Sequence, residues 1–225
     1  MMAGLFEAMI KSLWMTVLSE IGDKTFFIAA VMAMKQSRVV VFFGAWGALL
    51  VMTALSASMG WAAPALLSRR YTHLAATGLF FFFGIKLVYA AAVGSGEGVQ
   101  EELAEVEAEL GVGGNKSLKR SASFKKNALQ KLMLTVLSPV LLEVFTLTFL
   151  AEWGDRSQIA TIGLAAQDNP LGVTLGGVLG HAMCTGGAVM GGRSLAGKIS
   201  ERSLSLMGGA LFLIFGAHAV MEGAA

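Results

Sequence analysis

Glu20-Ile21-Gly22-Asp23-Lys24-Thr25 lies in the middle of a long apolar run, Leu5 to Met34. The same pattern returns as Glu152-Trp153-Gly154-Asp155-Arg156-Ser157, inside a second apolar run. A charged side chain at the centre of a membrane-spanning helix costs roughly 2.5–3.5 kcal/mol. Glu20, Asp23, Glu152 and Asp155 would together cost on the order of 10 kcal/mol if each stood alone. They therefore need partners, and the simplest reading makes the two copies halves of one cation site.

The rest of the chain supports a membrane setting. Of its 225 residues, 55% are hydrophobic and 14% charged, against about 25% charged in a typical soluble domain. The charges gather in connecting segments and leave several windows long enough to cross a bilayer. The expected class is all-α, a polytopic membrane protein. The net charge of +2 carries no nucleic-acid signal, because the positive residues lie in loops. The single cysteine, Cys184, excludes an internal disulfide and a cysteine metal cluster. His73, His181 and His218 are too scattered for a haem or zinc site. No resident cofactor is expected and no cleavable signal peptide is evident. No nucleophile–base pair or histidine cluster suggests an enzyme.

Six spans are expected, at about residues 5–34, 38–66, 72–93, 134–166, 170–195 and 203–222. The first and fourth are long. Thirty helical residues reach about 45 Å, against a hydrocarbon core of about 30 Å. Tilt would absorb the excess, and so would a break near Gly22 and Gly154. Asn169-Pro170 suits an N-cap followed by a first helical position. Pro139 suits a first turn, and Pro64 marks the end of the second span. Val99–Leu110 reads as a short amphipathic helix, with Leu103, Val106 and Leu110 on one side. Asn115 to Lys131 is basic, Ser-rich and expected to be flexible. The organisation is thus a first repeat over 1–93, a loop over 94–132 and a second repeat over 133–225. With that loop in the cytosol, Lys35, Arg38, Arg193, Lys198, Arg202 and the loop's own basic residues share one side. Lys11, Arg69 and Arg70 share the other, and the positive-inside rule favours this orientation.

Shifted by 132 residues, the chain matches itself. Glu20, Gly22 and Asp23 fall on Glu152, Gly154 and Asp155, Lys24 on Arg156 and Thr25 on Ser157. Gly44, Thr53 and Gly60 fall on Gly176, Thr185 and Gly192. Leu79, Phe80, Phe83 and Gly84 fall on Leu211, Phe212, Phe215 and Gly216. Two repeats of three spans follow. An odd number of spans inverts the second repeat, so a pseudo-two-fold axis in the membrane plane would bring the motifs face to face.

On a helix, positions i, i+3 and i+4 share a face, so Glu20, Asp23 and Lys24 are expected to project together, as are Glu152, Asp155 and Arg156. Four facing carboxylates make an oxygen-rich cage of the kind that suits hard divalent cations. Ser19, Thr25, Ser157 and Gln158 could add neutral oxygens. Four negative charges less Lys24 and Arg156 leave two, which matches one divalent cation. When that ion leaves, protons are the natural replacement, so cation–proton exchange is expected. The alternative is that Glu20–Lys24 and Glu152–Arg156 are structural i,i+4 ion pairs.

Other features carry blander readings. The glycines of spans two and five (Gly44, Gly47, Gly60, Gly176, Gly177, Gly180, Gly191, Gly192) read as close-packing positions, with a gating hinge as the alternative. Thr53 and Thr185 either line a path or bond between helices. His181 reads as a hydrogen-bonded packing histidine ahead of a proton relay. The glutamates of 97–109 read as a solvated helix face, with cation buffering or regulation as the alternative.

Both motifs fit E-x-G-D-[KR]-[TS], and on them the chain resembles the transmembrane protein 165 family, cation/proton exchangers of Golgi and plastid related to yeast Gdt1. The resemblance covers nearly the whole chain. It implies movement of Ca²⁺ and Mn²⁺ from the cytosol into an acidic lumen in exchange for protons. It also implies Glu20, Asp23, Glu152 and Asp155 as cation ligands, with Lys24, Thr25, Arg156 and Ser157 at matching motif positions. The stretches Gln100-Glu101-Glu102-Leu103 to Leu110 and Phe145–Ala151 look like the Golgi branch, which implies a Golgi membrane, with a plastid or other endomembrane as the alternative. The expected partners are divalent cations, protons and the lipid bilayer, and homo-oligomerisation is compatible with them. Rival readings are a proton-independent uniporter or channel, and a membrane scaffold in which the acids are structural ion pairs.

Overall fold

The computed structural model describes residues 2–66, 68–93, 104–108, 110, 138–196 and 201–223. Every regular element among them is helical. In the first half these are α1 (Met2–Glu20), α2 (Lys24–Lys35), α3 (Arg38–Leu66) and α4 (Arg69–Val93). In the second they are α5 (Pro139–Glu152), α6 (Arg156–Gln167), α7 (Pro170–Ala196) and α8 (Glu201–Gly223). Helices α3, α4, α7 and α8 are long and apolar enough to cross a membrane. The chain is a polytopic helical membrane protein.

The two long apolar runs are broken rather than only tilted. α1 gives way to α2 across residues 21–23, and α5 to α6 across residues 153–155. Gly22 and Gly154 sit in these breaks with φ of 82° and 83°. That is left-handed backbone, which glycine adopts without the Cβ clash that other residues meet. Twelve-residue helices such as α2 and α6 reach only about 18 Å. Neither is long enough by itself to cross a hydrocarbon core of about 30 Å.

The other ends follow local chemistry. Asn169 Oδ1 accepts hydrogen bonds from the backbone N–H groups of Leu171 and Gly172 at 3.0 and 3.1 Å, so α7 starts at Pro170. Pro139 occupies the first turn of α5, and Pro64 lies two residues from the end of α3. Residues 104–108 are helical. Val106 is fully buried against the cluster that holds α2, and Leu110 packs beside it. The remainder of the expected 99–110 helix and the basic 115–131 segment lie outside the described residues.

Three helices of the second half begin 132 residues after their counterparts in the first: Lys24 and Arg156, Arg38 and Pro170, Arg69 and Glu201. Packing is exchanged between halves. α3 lies against α5 and α6, α7 lies against α1 and α2, and α4 pairs with α8. Several contacts join equivalent positions. Trp46 Nε1 donates to the Val178 carbonyl at 3.1 Å, and the Phe80 and Phe212 rings lie 6.2 Å apart. Large side chains such as Phe82, Ile85, Leu142, Leu150 and Ile214 face outward, which hydrocarbon surroundings tolerate and water would not.

Glycine sets how closely the halves approach. A Cβ on Gly176 of α7 would run into the Met9 carbonyl of α1. At the equivalent Gly44 of α3, a Cβ would meet the Leu141 carbonyl of α5 at 3.0 Å. Gly187, on the same helix as Gly176, has open space around it. We expect Gly176→Ala to destabilise the protein by about 1–3 kcal/mol through overpacking. Gly187→Ala should be neutral or stabilising by about 0.5–1 kcal/mol. Thermal unfolding of the detergent-solubilised chain checks both, and equal effects would show that the α1–α7 approach is not limiting.

Candidate cation site

The breaks place the motif acids at helix ends. Glu20 is the last residue of α1 and Glu152 the last of α5, and each is only 2% exposed. Asp23 and Asp155 stand at the N-caps of α2 and α6. Because the helix stops at Glu20, the i, i+3, i+4 rule for an unbroken helix does not govern the motif. One carboxylate oxygen from each of Glu20, Asp23 and Glu152 lies within 4.8 Å of the other two. Oxygens sharing one ion, with bonds of about 2.0–2.6 Å, fall within about 5 Å of one another.

The motif hydroxyls hold the glutamates. Thr25 Oγ1 donates to Glu20 Oε2 at 3.2 Å, and Ser157 Oγ donates to Glu152 Oε1 at 2.6 Å. The other oxygens, Glu20 Oε1 and Glu152 Oε2, are buried without a hydrogen-bond partner. Each glutamate is thus oriented through one oxygen and offers the other. Burying such an oxygen unpaired is costly, and a bound cation would relieve it.

The two copies differ beyond this point. Asp155 Oδ2 accepts the Ser157 N–H at 3.1 Å, capping α6, and lies outside the trio. Asp23 makes no side-chain cap. Its Oδ1 instead meets the Arg156 guanidinium at 3.2 Å, which also donates to the Ser19 carbonyl at 3.0 Å. Arg156 thereby ties the second motif to the first. Lys24 reaches out to Glu105 of the 104–108 helix at 3.2 Å. Gln158 Oε1 accepts the Gly154 N–H at 2.7 Å and pins the second turn. Phe26, its equivalent in the first half, has no group to do so. Three carboxylates less one guanidinium again leave two negative charges.

A small cavity (≈ 10 Å³) opens beside Glu152, about enough for one water-sized occupant. Its polar lining comes from Thr53 and Ser56 of α3, Ser157, Gln158 and Thr161 of α6, and His181 of α7. Thr53 lines this space while bonding to its own helix at the Leu49 carbonyl. His181 Nδ1 lies 3.8 Å from Glu20 Oε2 and has no hydrogen-bond partner. That nitrogen makes no hydrogen bond among the described residues. Ser56, Thr161 and His181 fall, at the 132-residue offset, on Ala188, Ala29 and Leu49. That mismatch between otherwise matching halves was the available signal for Ser56 and Thr161, which motif reading passes over.

A family model described as "Divalent cation/proton antiporter GDT1" matches residues 8–95 and 140–225, one motif in each segment. The chain is 51% identical over 229 residues to GDT1-like protein 5 of Oryza sativa subsp. japonica, covering 99% of this chain and 98% of that one. It is 49% identical over 225 residues to GDT1-like protein 5 of Arabidopsis thaliana, covering 98% of each. Arabidopsis GDT1-like protein 4 is 49% identical over 221 residues, covering 96% of each. No solved structure matches the chain. With both motif-bearing segments matched and the relatives aligned almost end to end, the chain belongs to the GDT1 family of divalent cation/proton antiporters, and it is a membrane transporter rather than an enzyme.

Proposed function

We propose that this antiporter moves Ca²⁺ and Mn²⁺ out of the cytosol in exchange for lumenal protons, through one intramembrane site to which both motifs contribute. The observation that carries this reading is the convergence of Glu20, Asp23 and Glu152 oxygens at the junction of the halves, where each glutamate keeps one buried oxygen without a hydrogen bond. Asp155 supports the site as the cap of α6. Thr25 and Ser157 orient the glutamates, Gln158 fixes the second turn, and Arg156 balances the trio's charge. Lys24 works at the periphery, through the central loop.

The architecture proposed is six spans in two inverted repeats, with α1–α2 and α5–α6 each crossing as a broken span. Shared helix starts at the 132-residue offset and contacts between equivalent residues support it. The 94–132 loop is placed in the cytosol on its positive charge, and a Golgi membrane is the proposed location. The coupling follows from charge. A cation neutralises the trio on one side, and when it leaves, protons on the carboxylates are the replacement that keeps the site near neutral. Rocking of the repeats exposes the neutral site to each side in turn.

Purified protein in liposomes tests this directly. Mn²⁺ and Ca²⁺ uptake should follow an acidic interior, and Glu20→Gln and Glu152→Gln should each lower it at least about tenfold. Uptake indifferent to the pH gradient would sink the exchange reading, and uptake indifferent to both substitutions would remove the motifs from the path.

The two aspartates should not be equivalent. Asp23→Asn should abolish transport. Asp155→Asn should slow it by no more than about threefold, since asparagine caps a helix nearly as well as aspartate. Equal, large losses in both variants would mean instead that the aspartates exchange roles over the transport cycle.

A further inference from the structure

We propose that His181 Nδ1 is a nitrogen ligand of the transported ion and biases the site towards a divalent first-row transition ion, such as Mn²⁺, over Ca²⁺ and Mg²⁺. The inference rests on the carboxylate site proposed above and assigns it a selectivity.

Four observations converge on this residue. His181 is 4% exposed, deep in α7. Its Nδ1 has no hydrogen-bond partner, although a buried histidine nitrogen ordinarily finds one. It lies 3.8 Å from Glu20 Oε2, too far for a hydrogen bond. Two donors of one ion, each at about 2.2 Å, sit roughly 3–4.4 Å apart, so the spacing fits a shared ion; Glu20 Oε2 accepts from Thr25 on one lone pair and keeps another for the ion. His181 also lines the small cavity that Glu152 lines. The imidazole thus faces both glutamates that the site takes from the two halves.

The fold itself does not require histidine here. The equivalent position in the first half is Leu49, buried in α3 at the same register. A leucine-sized apolar side chain satisfies that packing environment. A nitrogen donor on one side only is a departure from the repeat, placed where the cation would bind.

The chemistry of the donor decides the preference. Ca²⁺ and Mg²⁺ take oxygen ligands. Neutral imidazole is the commonest side-chain ligand of transition ions, and nitrogen donors move a site's affinity along the Irving–Williams order, in which Mn²⁺ is the weakest member. A purely carboxylate trio holds all three ions by charge. Adding Nδ1 helps Mn²⁺ and does little for the other two.

Mn²⁺ itself is the probe. Pulsed electron paramagnetic resonance of Mn²⁺ bound to the full-length, detergent-solubilised protein should show nitrogen modulation from a directly coordinated imidazole. His181→Gln should remove it, while His73→Gln/His218→Gln should retain it. The same His181→Gln protein in liposomes should show its Mn²⁺-to-Ca²⁺ uptake ratio lowered about tenfold. Absence of nitrogen modulation in the wild type overturns the proposal without need of any variant. Modulation that survives His181→Gln, or that disappears in the double variant, overturns it as well, and so does an unchanged uptake ratio. Glu20→Gln and Glu152→Gln separate the two levels. Mn²⁺ binding lost in those variants, with no nitrogen modulation in wild type, leaves the carboxylate site standing and removes His181. Mn²⁺ binding that ignores both glutamates removes the carboxylate site itself.

Discussion

Negative charge buried in the protein's interior must be neutralised, and most features of this fold answer that requirement. Glu20 and Glu152 are almost completely enclosed, where water cannot screen them. The helix breaks put them at the C-terminal ends of α1 and α5. Those ends carry the partial negative charge of the helix dipole and unpaired carbonyls. Carboxylates gathered there are repelled unless a positive charge joins them. Arg156 supplies one, meeting both Asp23 and the Ser19 carbonyl in the last turn of α1. The aspartates stand at the opposite kind of terminus. Asp23 and Asp155 precede α2 and α6, whose N-terminal dipoles favour an anion. One break thus makes a place for a cation and a place for an anion within three residues.

The two halves share a frame and differ within it. Helix starts keep one offset through three successive elements, because caps and glycines set them locally. Side chains near the motifs do not keep it. Gln158, Thr161 and His181 of the second half stand where the first has Phe26, Ala29 and Leu49. The polar set surrounds a small cavity, and the apolar set is packed and buried. A site approached through one polar wall and one dry wall is not the same from both directions. That asymmetry suits a protein whose two cargoes, a divalent cation and a proton, differ in size and hydration.

Much of this was legible in the sequence, and the limits have physical causes. The four long apolar helices, the proline and Asn169 starts and the 132-residue offset depend on local chemistry and composition. The break at Gly22 and Gly154 was one of two solutions that the length of the apolar runs allowed. What the sequence did not determine was convergence. Helical spacing groups Asp23 with Glu20 and Lys24, but the helix ends at Glu20, so neighbouring side chains part. Lys24 finds Glu105, 81 residues away, and Arg156 finds Asp23, 133 residues away. No periodicity reports such partners. Asp155, identical in type to Asp23, caps a helix because Ser157 and Gln158 complete the second turn in a way that Thr25 and Phe26 do not complete the first.

The division of the site between two halves also bears on why exchange prevails over leak. Each half brings one glutamate and the hydroxyl that orients it, so the full donor set exists only where the halves meet. Two ionised carboxylates about 5 Å apart repel by roughly 3 kcal/mol at an effective dielectric constant near 20. An empty, charged site therefore resists the closure that brings the halves together. A bound divalent cation removes that repulsion, and so do protons on the carboxylates. Both loaded forms can pass through the closed arrangement, and the empty charged form is disfavoured in it. On the proposed mechanism, an ion that leaves on one side commits the protein to return with protons, so neutrality at three carboxylates becomes the coupling between two fluxes.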